Sequence, residues 1–419
     1  MGQGSSLPGA SPVIGTSQGM CGSGRQTHVN QRNEHGALRK LGLVGALAGG
    51  GAFLAGCDVA PPDNAFFQAL RFGWPQGVTP ESQAAGNFWV WTWVAAWIIG
   101  IIVWGVTLYS AATFTAKKAE KRGDDEFPRQ TAYNVPVELV LTVLPIIIVM
   151  ALFFFTVQTQ DDVTALDKEP QVTVDVTAFQ WNWKFGYANV SNDILGGEDY
   201  DGRVQGEDPE VYFTETGHHA PHKEPGAPDQ RDYPIHGQST SDMSYLHFNE
   251  IETVGTTDEV PVLVLPTGTP IEFNLASADV VHSFWVPEFL FKRDAFPHPE
   301  ANKAQRRFQI EEISERLMES RPVANPNDEH RNAFVGRCAE MCGTYHAMMN
   351  FEIRAVSREQ FAEYINFRRE NPEATNAQAL EHIGEPGYAL STSPFNPGRV
   401  DTRDLTDRGA NTVDLNAQN

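Results

Sequence analysis

Cysteine is scarce in this chain. Only 4 of 419 residues are Cys, at positions 21, 57, 338 and 342. That is too few, and too unevenly spread, for a disulfide framework. No haem-attachment motif occurs. Positive charge is also short: 31 Lys and Arg stand against 53 Asp and Glu, a formal net charge of −22. This balance argues against nucleic acid and for a basic or locally positive partner. Beyond a short apolar stretch near the N-terminus, long hydrophobic runs are confined to two places.

Residues 1–56 read as a targeting segment. Arg32, Arg39 and Lys40 precede a small-residue apolar run that ends Leu54-Ala55-Gly56-Cys57. A basic region, a short apolar core and a small-residue cleavage site make a secretory signal, too short to span a bilayer. The Leu-Ala-Gly-Cys ending resembles a bacterial lipoprotein cleavage site, which makes Cys57 the expected lipid attachment point and mature N-terminus. A plain signal with an incidental Cys is the alternative. Residues 1–30 are Gly/Ser-rich and unlike a signal, and Met20 offers another initiator.

The two long runs are expected to cross the membrane. Residues 57–87 form an extracytoplasmic lead-in. Residues 88–114 carry no charge and open on Phe88-Trp89-Val90-Trp91-Thr92-Trp93, the aromatic crowding of a membrane interface. Residues 135–157 are the second span, with Glu138 near its start and Pro145 inside. The linker, residues 115–134, holds Lys117, Lys118, Lys121, Arg122 and Arg129. The positive-inside rule puts it in the cytoplasm, so the rest of the mature chain faces outward. An ionisable residue just inside a span is a functional candidate by default, which singles out Glu138. An interfacial acid that only anchors the helix end is the competing reading.

Residues 161–371 read as a soluble domain. Val172 to Thr177 alternates at period two, as a half-buried strand does. Further strands are expected at residues 260–265, 271–275, 333–337 and 351–356, separated by turn residues such as Pro266-Thr267-Gly268-Thr269-Pro270. Ser357 with Gln360 three residues on marks a helix over residues 357–371, and residues 376–382 suggest another turn or two. Residues 188–259 hold 16 acidic and 3 basic residues and read as an insertion between two strands. Its histidines, His218, His219, His222, His236 and His247, read as solvated. In the tail, residues 372–419, the stretch from Gly384 is polar and rich in Gly, Pro, Ser and Asn. It predicts a segment poorly ordered or draped on a partner.

The chemistry gathers in Cys338-Ala339-Glu340-Met341-Cys342-Gly343-Thr344-Tyr345-His346-Ala347-Met348-Met349. Two thiolates, an imidazole and a thioether fall within one short loop, the soft donor set of an electron-transfer copper site. His282, which closes an apolar, strand-like run, can add a second imidazole. A mononuclear site of this kind uses one Cys, two His and a weak axial ligand. The second Cys is accommodated most simply by a second copper, with both thiolates bridging and one His on each ion. A disulfide between Cys338 and Cys342 is the competing reading, and leaves His346 and Met349 without a role. Zinc takes Cys, His and carboxylate rather than Met. Short strands with metal ligands on loops at one end suggest a sandwich. The expected fold is a two-helix transmembrane hairpin followed by a cupredoxin-like all-β sandwich.

The pattern Cys-x-Glu-x-Cys-x-x-x-His-x-x-Met after a distant His resembles the dinuclear copper (CuA) loop of cytochrome c oxidase subunit II, a loop shared with nitrous oxide reductase. The resemblance covers residues 57–371 apart from the acidic insertion. It implies side-chain copper ligands His282, Cys338, Cys342, His346 and Met349, with the backbone carbonyl of Glu340. It implies a magnesium ion, held by the Glu340 carboxylate and shared with subunit I. Gln180-Trp181-Asn182-Trp183 resembles the family's aromatic segment, which implies that Trp181 receives electrons from cytochrome c. The family usually has an aromatic residue where Asn182 stands. Glu138 matches the cytoplasmic mouth of a proton channel, and Lys292 and Asp294 match a segment that lies against subunit I. The implied activity is that of a proton-pumping oxidase whose haem, and whose reduction of oxygen to water, reside in subunit I. Gln180 to Tyr187, the acidic insertion and the Cys57 motif are most similar to the actinobacterial aa-type branch, whose donor is a dihaem cytochrome c of the cytochrome bcc complex in a supercomplex. A quinol oxidase subunit II, nitrous oxide reductase and a membrane-anchored copper carrier are the alternatives. The full ligand set, the two spans and Glu138 respectively argue against them.

Overall fold

The computed structural model describes residues 60–123, 132–204, 243–321 and 330–394. The chain opens on a short helix α1 (Ala65–Ala69), capped by the Asn64 side chain, which accepts from the Phe66 and Phe67 amides. Helix α2 (Pro80–Thr113) contains the first apolar run but starts well before it. The reason is local: Thr79 and Ser82 form a reciprocal capping box, and Pro80 takes the first helical position, where a missing N–H costs nothing. Helix α3 (Ala116–Arg122) ends on Gly123 in the left-handed region. Helix α4 (Val135–Thr164) contains the second run and Pro145. Helices α2 and α4 are long and apolar enough to cross a membrane, and they pack against each other.

The first turn of α2 is fastened to the β-rich domain that begins after α4. Val78 donates to the Glu288 carbonyl (3.1 Å) and Ser314 donates to the Val78 carbonyl (2.9 Å). Glu81, nearly buried, accepts from the Glu311 amide (2.9 Å) and pairs with Lys168 (3.2 Å). The hairpin therefore enters the β-rich domain through a hydrogen-bonded, ion-paired joint.

That domain is a two-sheet sandwich. One sheet has the order β3-β2-β1-β6-β9, with β4 also on β2; the other has the order β5-β11-β10-β7-β8. The first comprises β1 (Val172–Phe179), β2 (Asn182–Val190), β3 (Tyr200–Asp201), β4 (Glu252–Val254), β6 (Ile271–Ser277) and β9 (Arg307–Ile310). The second comprises β5 (Val262–Pro266), β7 (His282–Val286), β8 (Phe291–Ala295), β10 (Ala333–Cys338) and β11 (Asn350–Val356). Inner faces meet in an aromatic core of Trp183, Phe185, Phe273, Phe284, Phe308 and Phe351. Phe273 stacks on Phe308, and Phe284 on Phe351. The short helix α5 (Asn192–Leu195) comes after β2, and α6 (Glu315–Ser320) after β9. Helices α7 (Arg358–Glu370) and α8 (Asn376–His382) close the domain, each behind a capping box, Ser357/Gln360 and Thr375/Gln378.

Two expectations change. Both described ends of the acidic stretch belong to the first sheet: β2 runs on to Val190, β3 and β4 pair with β2, and Leu246, Phe248 and Ile251 are buried. These ends cover the outer side of β1, so Asp175, on the polar face of an alternating strand, is buried too. It is satisfied by a bidentate Arg203 (2.8 and 2.7 Å), Asn249 (3.1 Å) and Asn274 (2.6 Å). Residues 205–242, with His218, His219, His222 and His236, lie outside the described residues.

The segment after Gly384 is likewise not loose up to residue 394. Glu352, fully buried on β11, accepts from the Leu390 and Ser391 amides (2.6 Å each) and from the Ser391 hydroxyl (2.8 Å). Arg354, also fully buried, bonds Glu385 (2.9 Å) and the carbonyls of Pro386 (3.3 Å) and Tyr388 (3.1 Å). Polar composition conceals this strap because its partners sit more than thirty residues away in β11.

Candidate metal centre

Three loop regions meet at one end of the sandwich. Cys338 is the last residue of β10, and its amide donates to the Met349 carbonyl (3.1 Å), which closes the base of the loop. Within the loop, Gly343 takes φ +119°, and residues His346–Met348 form a 3-10 turn. This curls Cys342, His346 and Met349 inward, while Met341 points out and is largely exposed.

The sulfurs of Cys338 and Cys342 lie 3.8 Å apart, and both residues are free thiols. A disulfide needs about 2.05 Å, so that reading of the pair does not hold. His282 Nδ1 lies 3.8 Å from Cys338 Sγ, and His346 Nδ1 lies 3.5 Å from Cys342 Sγ. Met349 Sδ is 3.9 Å from Cys342 Sγ, and the Glu340 carbonyl oxygen is 3.2 Å from Cys338 Sγ. His282, Cys338 and Cys342 form a buried group whose ligand atoms all lie within 4.8 Å of one another. Each sulfur thus has its own imidazole, with the carbonyl beside Cys338 and the thioether beside Cys342.

His282 begins β7 rather than ending a strand. The preceding turn is made by Asp279, whose carboxylate accepts from the Gln180 amide (2.6 Å) and the Val280 amide (2.6 Å). The same carboxylate meets His282 Nε2 at 2.8 Å. This carboxylate contact orients the ring and leaves Nδ1 toward the sulfurs, as outer-sphere partners of metal-bound histidines do.

The electrostatics of the pair are unbalanced. Burial raises the Cys338 thiol, but the neighbouring His282 and the loop backbone outweigh it and bring it down to about 7. Burial and the charge of Cys338 push Cys342 up to about 12. Burial disfavours a charged His282, yet hydrogen bonds to Asp279 and Cys338 raise its pKa. The site accepts one thiolate readily and resists a second until positive charge sits between them.

Trp181 and Trp183 part company. A Trp-x-Trp spacing in a strand predicts two rings on one face, but Trp181 lies in the β1–β2 turn and only Trp183 is in β2. Trp183 is fully buried, its indole N–H 3.4 Å from the Met349 carbonyl and its ring beside His282. Trp181 is partly exposed. Its N–H donates to the Cys342 carbonyl (3.1 Å), which also accepts from the Gln180 side chain (2.7 Å). Tyr345 meets the ring edge-on at 4.9 Å. Gly343 lies beneath it at φ +119°, a conformation side chains rarely adopt, and a Cβ there would come within 3.1 Å of Trp181 Nε1.

The remaining sequence-derived residues lie elsewhere. Glu340 directs its carboxylate, 46% exposed, to within 3.8 Å of Lys292 Nζ, which also pairs with Asp294 (2.7 Å). Glu138 lies in the first turn of α4, exposed, where it accepts from the Asn134 amide (2.8 Å). Cys57 falls outside the described residues. Asp279, Gln180 and Tyr345 are additions that ligand spacing does not reveal. Asp279 three residues before a candidate His ligand is the one available signal.

No protein-family model matches the chain. Among curated proteins it is 63% identical over 377 residues to cytochrome c oxidase subunit 2 of Corynebacterium glutamicum, covering 90% of this chain and 98% of that one. It is 42% identical over 385 residues to cytochrome c oxidase subunit 2 of Mycobacterium tuberculosis, covering 90% and 96%. Among solved structures, the periplasmic domain of cytochrome oxidase subunit II of Bradyrhizobium japonicum aligns at 20% identity and a TM-score of 0.25, over 48% of this chain and 96% of that domain. With two helices of membrane-spanning character, a β-sandwich and a His/Cys/Cys group at its loop end, the chain belongs to the cytochrome c oxidase subunit 2 family, the membrane-bound subunits of an oxidase.

Proposed function

We propose that this subunit holds a dinuclear copper (CuA) centre, accepts electrons there from a cytochrome c, and delivers them to haem in subunit I of a proton-pumping oxidase. The observation that carries this reading is the donor set: two sulfurs 3.8 Å apart, each with its own imidazole, plus one thioether and one carbonyl. The set fits copper. Its donors are soft, the thioether is foreign to zinc, and the resistance of Cys342 to ionisation beside Cys338 is what bridging cations relieve. When bound, the copper pair supplies a one-electron store whose charge is shared over two ions.

The protein's own groups do the positioning. Asp279 fixes the His282 ring and, through the Gln180 amide, also the turn that carries Trp181. In this reading Trp181 receives the electrons; its partly exposed ring, hydrogen-bonded to the Cys342 carbonyl, supports that role. The acidic balance of the chain suits a donor with a basic face, here the dihaem cytochrome c of a bcc complex in a supercomplex. The half-exposed Glu340 carboxylate is available for a magnesium ion shared with subunit I. The basic residues after α2 put the linker in the cytoplasm and the sandwich outside the bacterial cell membrane. That places Glu138 at the cytoplasmic end of α4, where protons are taken up. Cys57 carries the lipid anchor.

Electron paramagnetic resonance of the purified oxidase tests the centre. Hyperfine splitting from two equivalent copper nuclei is expected. Splitting from a single nucleus overturns the dinuclear assignment.

A further inference from the structure

Away from the sulfur cluster, residues 60–79 pack along the start of α2. Their rings mark the depth of the bilayer surface. Trp74 stacks on Trp89 at 4.3 Å, Phe72 lies 4.5 Å from Trp93, and Phe67 meets Trp91 at 5.8 Å. Phe66, Phe72 and Trp74 remain 61%, 53% and 41% exposed. An aromatic cluster of this kind, at the start of a spanning helix, sits at headgroup level.

Beside it is a cavity of about 460 Å³, lined by Gln68, Arg71, Trp74 and Gln76 on one side and on the other by the Arg321–Glu288 pair, with Val335 and Leu390, of the sandwich. Arg321 is committed: it bonds Glu288 (3.0 Å), packs over Phe334 (4.5 Å) and reaches the Ala333 carbonyl (3.2 Å). Arg71 differs. Its guanidinium rests on α2, since a Cβ at Gly86 would come within 3.3 Å of Nη1, and Gly86 is two residues before the uncharged run. Its one hydrogen bond among the described residues is a long one, to the Pro75 carbonyl at 3.4 Å. A guanidinium has five N–H donors in a planar fork that suits phosphate. Burial lowers the Arg71 pKa against the pull of Asp63, so the cation is underserved where it stands. Nearby, the buried Trp89 indole N–H has no partner among the described residues.

We propose that this cavity binds the phosphate of an anionic phospholipid headgroup through Arg71, with the glycerol end against the exposed rings of Phe66, Phe72 and Trp74 and the acyl chains descending beside α2. Phosphate chemistry alone would also admit a free phosphate ion. The apolar surface beside the cavity selects the lipid, because it supplies contacts that an ion cannot use. The Gln76 amide, and the groups that Gln68 keeps beyond its bond to Asp63 (2.9 Å), provide donors and acceptors for the polar end of the headgroup. The proposal rests on the membrane helices and is independent of the metal assignment.

The test uses the assembled oxidase, delipidated in detergent and titrated with phosphatidylglycerol or phosphatidylcholine in mixed micelles, with retained lipid counted by mass spectrometry. The unaltered complex is expected to retain phosphatidylglycerol preferentially. Arg71→Gln should weaken that retention about tenfold, the worth of one charge-assisted hydrogen-bonded contact, and Arg71→Lys should recover part of it. Oxygen consumption and the copper spectrum serve as folding controls and should be unchanged. Excess inorganic phosphate should fail to displace the lipid; displacement by phosphate alone overturns the lipid assignment in favour of an ion site. Equal retention by Arg71→Gln and the unaltered complex overturns the proposal. So does a photo-crosslinker placed at Gln68 that labels another oxidase subunit instead of lipid.

Discussion

At the loop end of the sandwich the chain supplies its own surroundings; along the hairpin it does not. His282, Cys338, Cys342 and Met349 are buried by the polypeptide, and their orientations are fixed by Asp279, Trp183 and the loop backbone. On α2 and α4, Ile101, Trp104, Leu141, Met150 and Phe153 each stand more than 60% exposed. Each such side chain costs about 1.5–3 kcal/mol in water compared with burial. The hairpin is completed by lipid and by other oxidase subunits, whereas the candidate donor groups all come from one chain. The two ends should therefore fail independently.

The largest effect expected is at the sulfur pair. Cys338→Ser or Cys342→Ser removes one of the two sulfurs, and the coupled two-copper signal should vanish, along with electron uptake from the donor. The hairpin should still insert, so the variant subunit should be found in the membrane fraction at its ordinary level. A variant that disappears from the membrane breaks the proposed independence of the two ends.

Next comes the strap on β11. Glu352→Ala strips the buried Arg354 of one carboxylate and leaves the Leu390 and Ser391 amides without an acceptor. Breaking a buried pair costs about 3–5 kcal/mol, and the remaining Glu385 contact puts the expectation at the low end of that range. Thermal unfolding followed by circular dichroism of the sandwich would measure it. A change below about 1 kcal/mol would mean that the strap is a passenger of the fold.

The candidate metal loop is legible in the sequence because its donor residues are local. Four donors fall within twelve residues, and no fold is needed to see them. Helices α7 and α8 are legible for the same reason, since each capping box spans four residues. What escapes depends on contacts between distant segments. Asp279 reaches the Gln180 amide across 99 residues, and Glu352 reaches Leu390 across 38. The ends of the acidic stretch are hidden because charge masks Leu246 and Phe248, which pack on Ala276 of β6, and Ile251, which joins the main core just before β4. Spacing alone puts Trp181 on a strand, while the turn that holds it is set by Asp279.

Trp181→Phe sharpens the comparison within the loop end itself. An aromatic ring is kept, but the hydrogen bond to the Cys342 carbonyl is lost. The copper spectrum should stay as it is, because no ligand changes. Oxidation of the donor should slow by roughly tenfold to a hundredfold, the scale on which misplacing a reacting group is felt. Stopped-flow mixing of reduced donor with the oxidase would read it. Normal donor oxidation with an unchanged spectrum would make Trp181 a packing residue of the turn.

Glu138 is where the smallest effect is expected, and where the hairpin is tested for chemistry of its own. Its carboxylate accepts the Asn134 amide at the exposed start of α4. A local role is therefore already accounted for: an acid in the first turn of a helix contributes about 0.3–1 kcal/mol through the helix dipole. Glu138→Gln keeps an oxygen that can accept the same amide, so the cap and the amount of assembled oxidase should be nearly unchanged. What the amide cannot do is ionise. If protons pass through this position, steady-state oxygen consumption should fall in part, while reduction of the copper centre by its donor keeps its rate. The defect should respond to pH on the cytoplasmic side alone, and Glu138→Asp should recover some of the loss. Turnover that is unaltered in Glu138→Gln across a range of cytoplasmic pH would leave this carboxylate as the cap of α4, and the hairpin as an anchor alone.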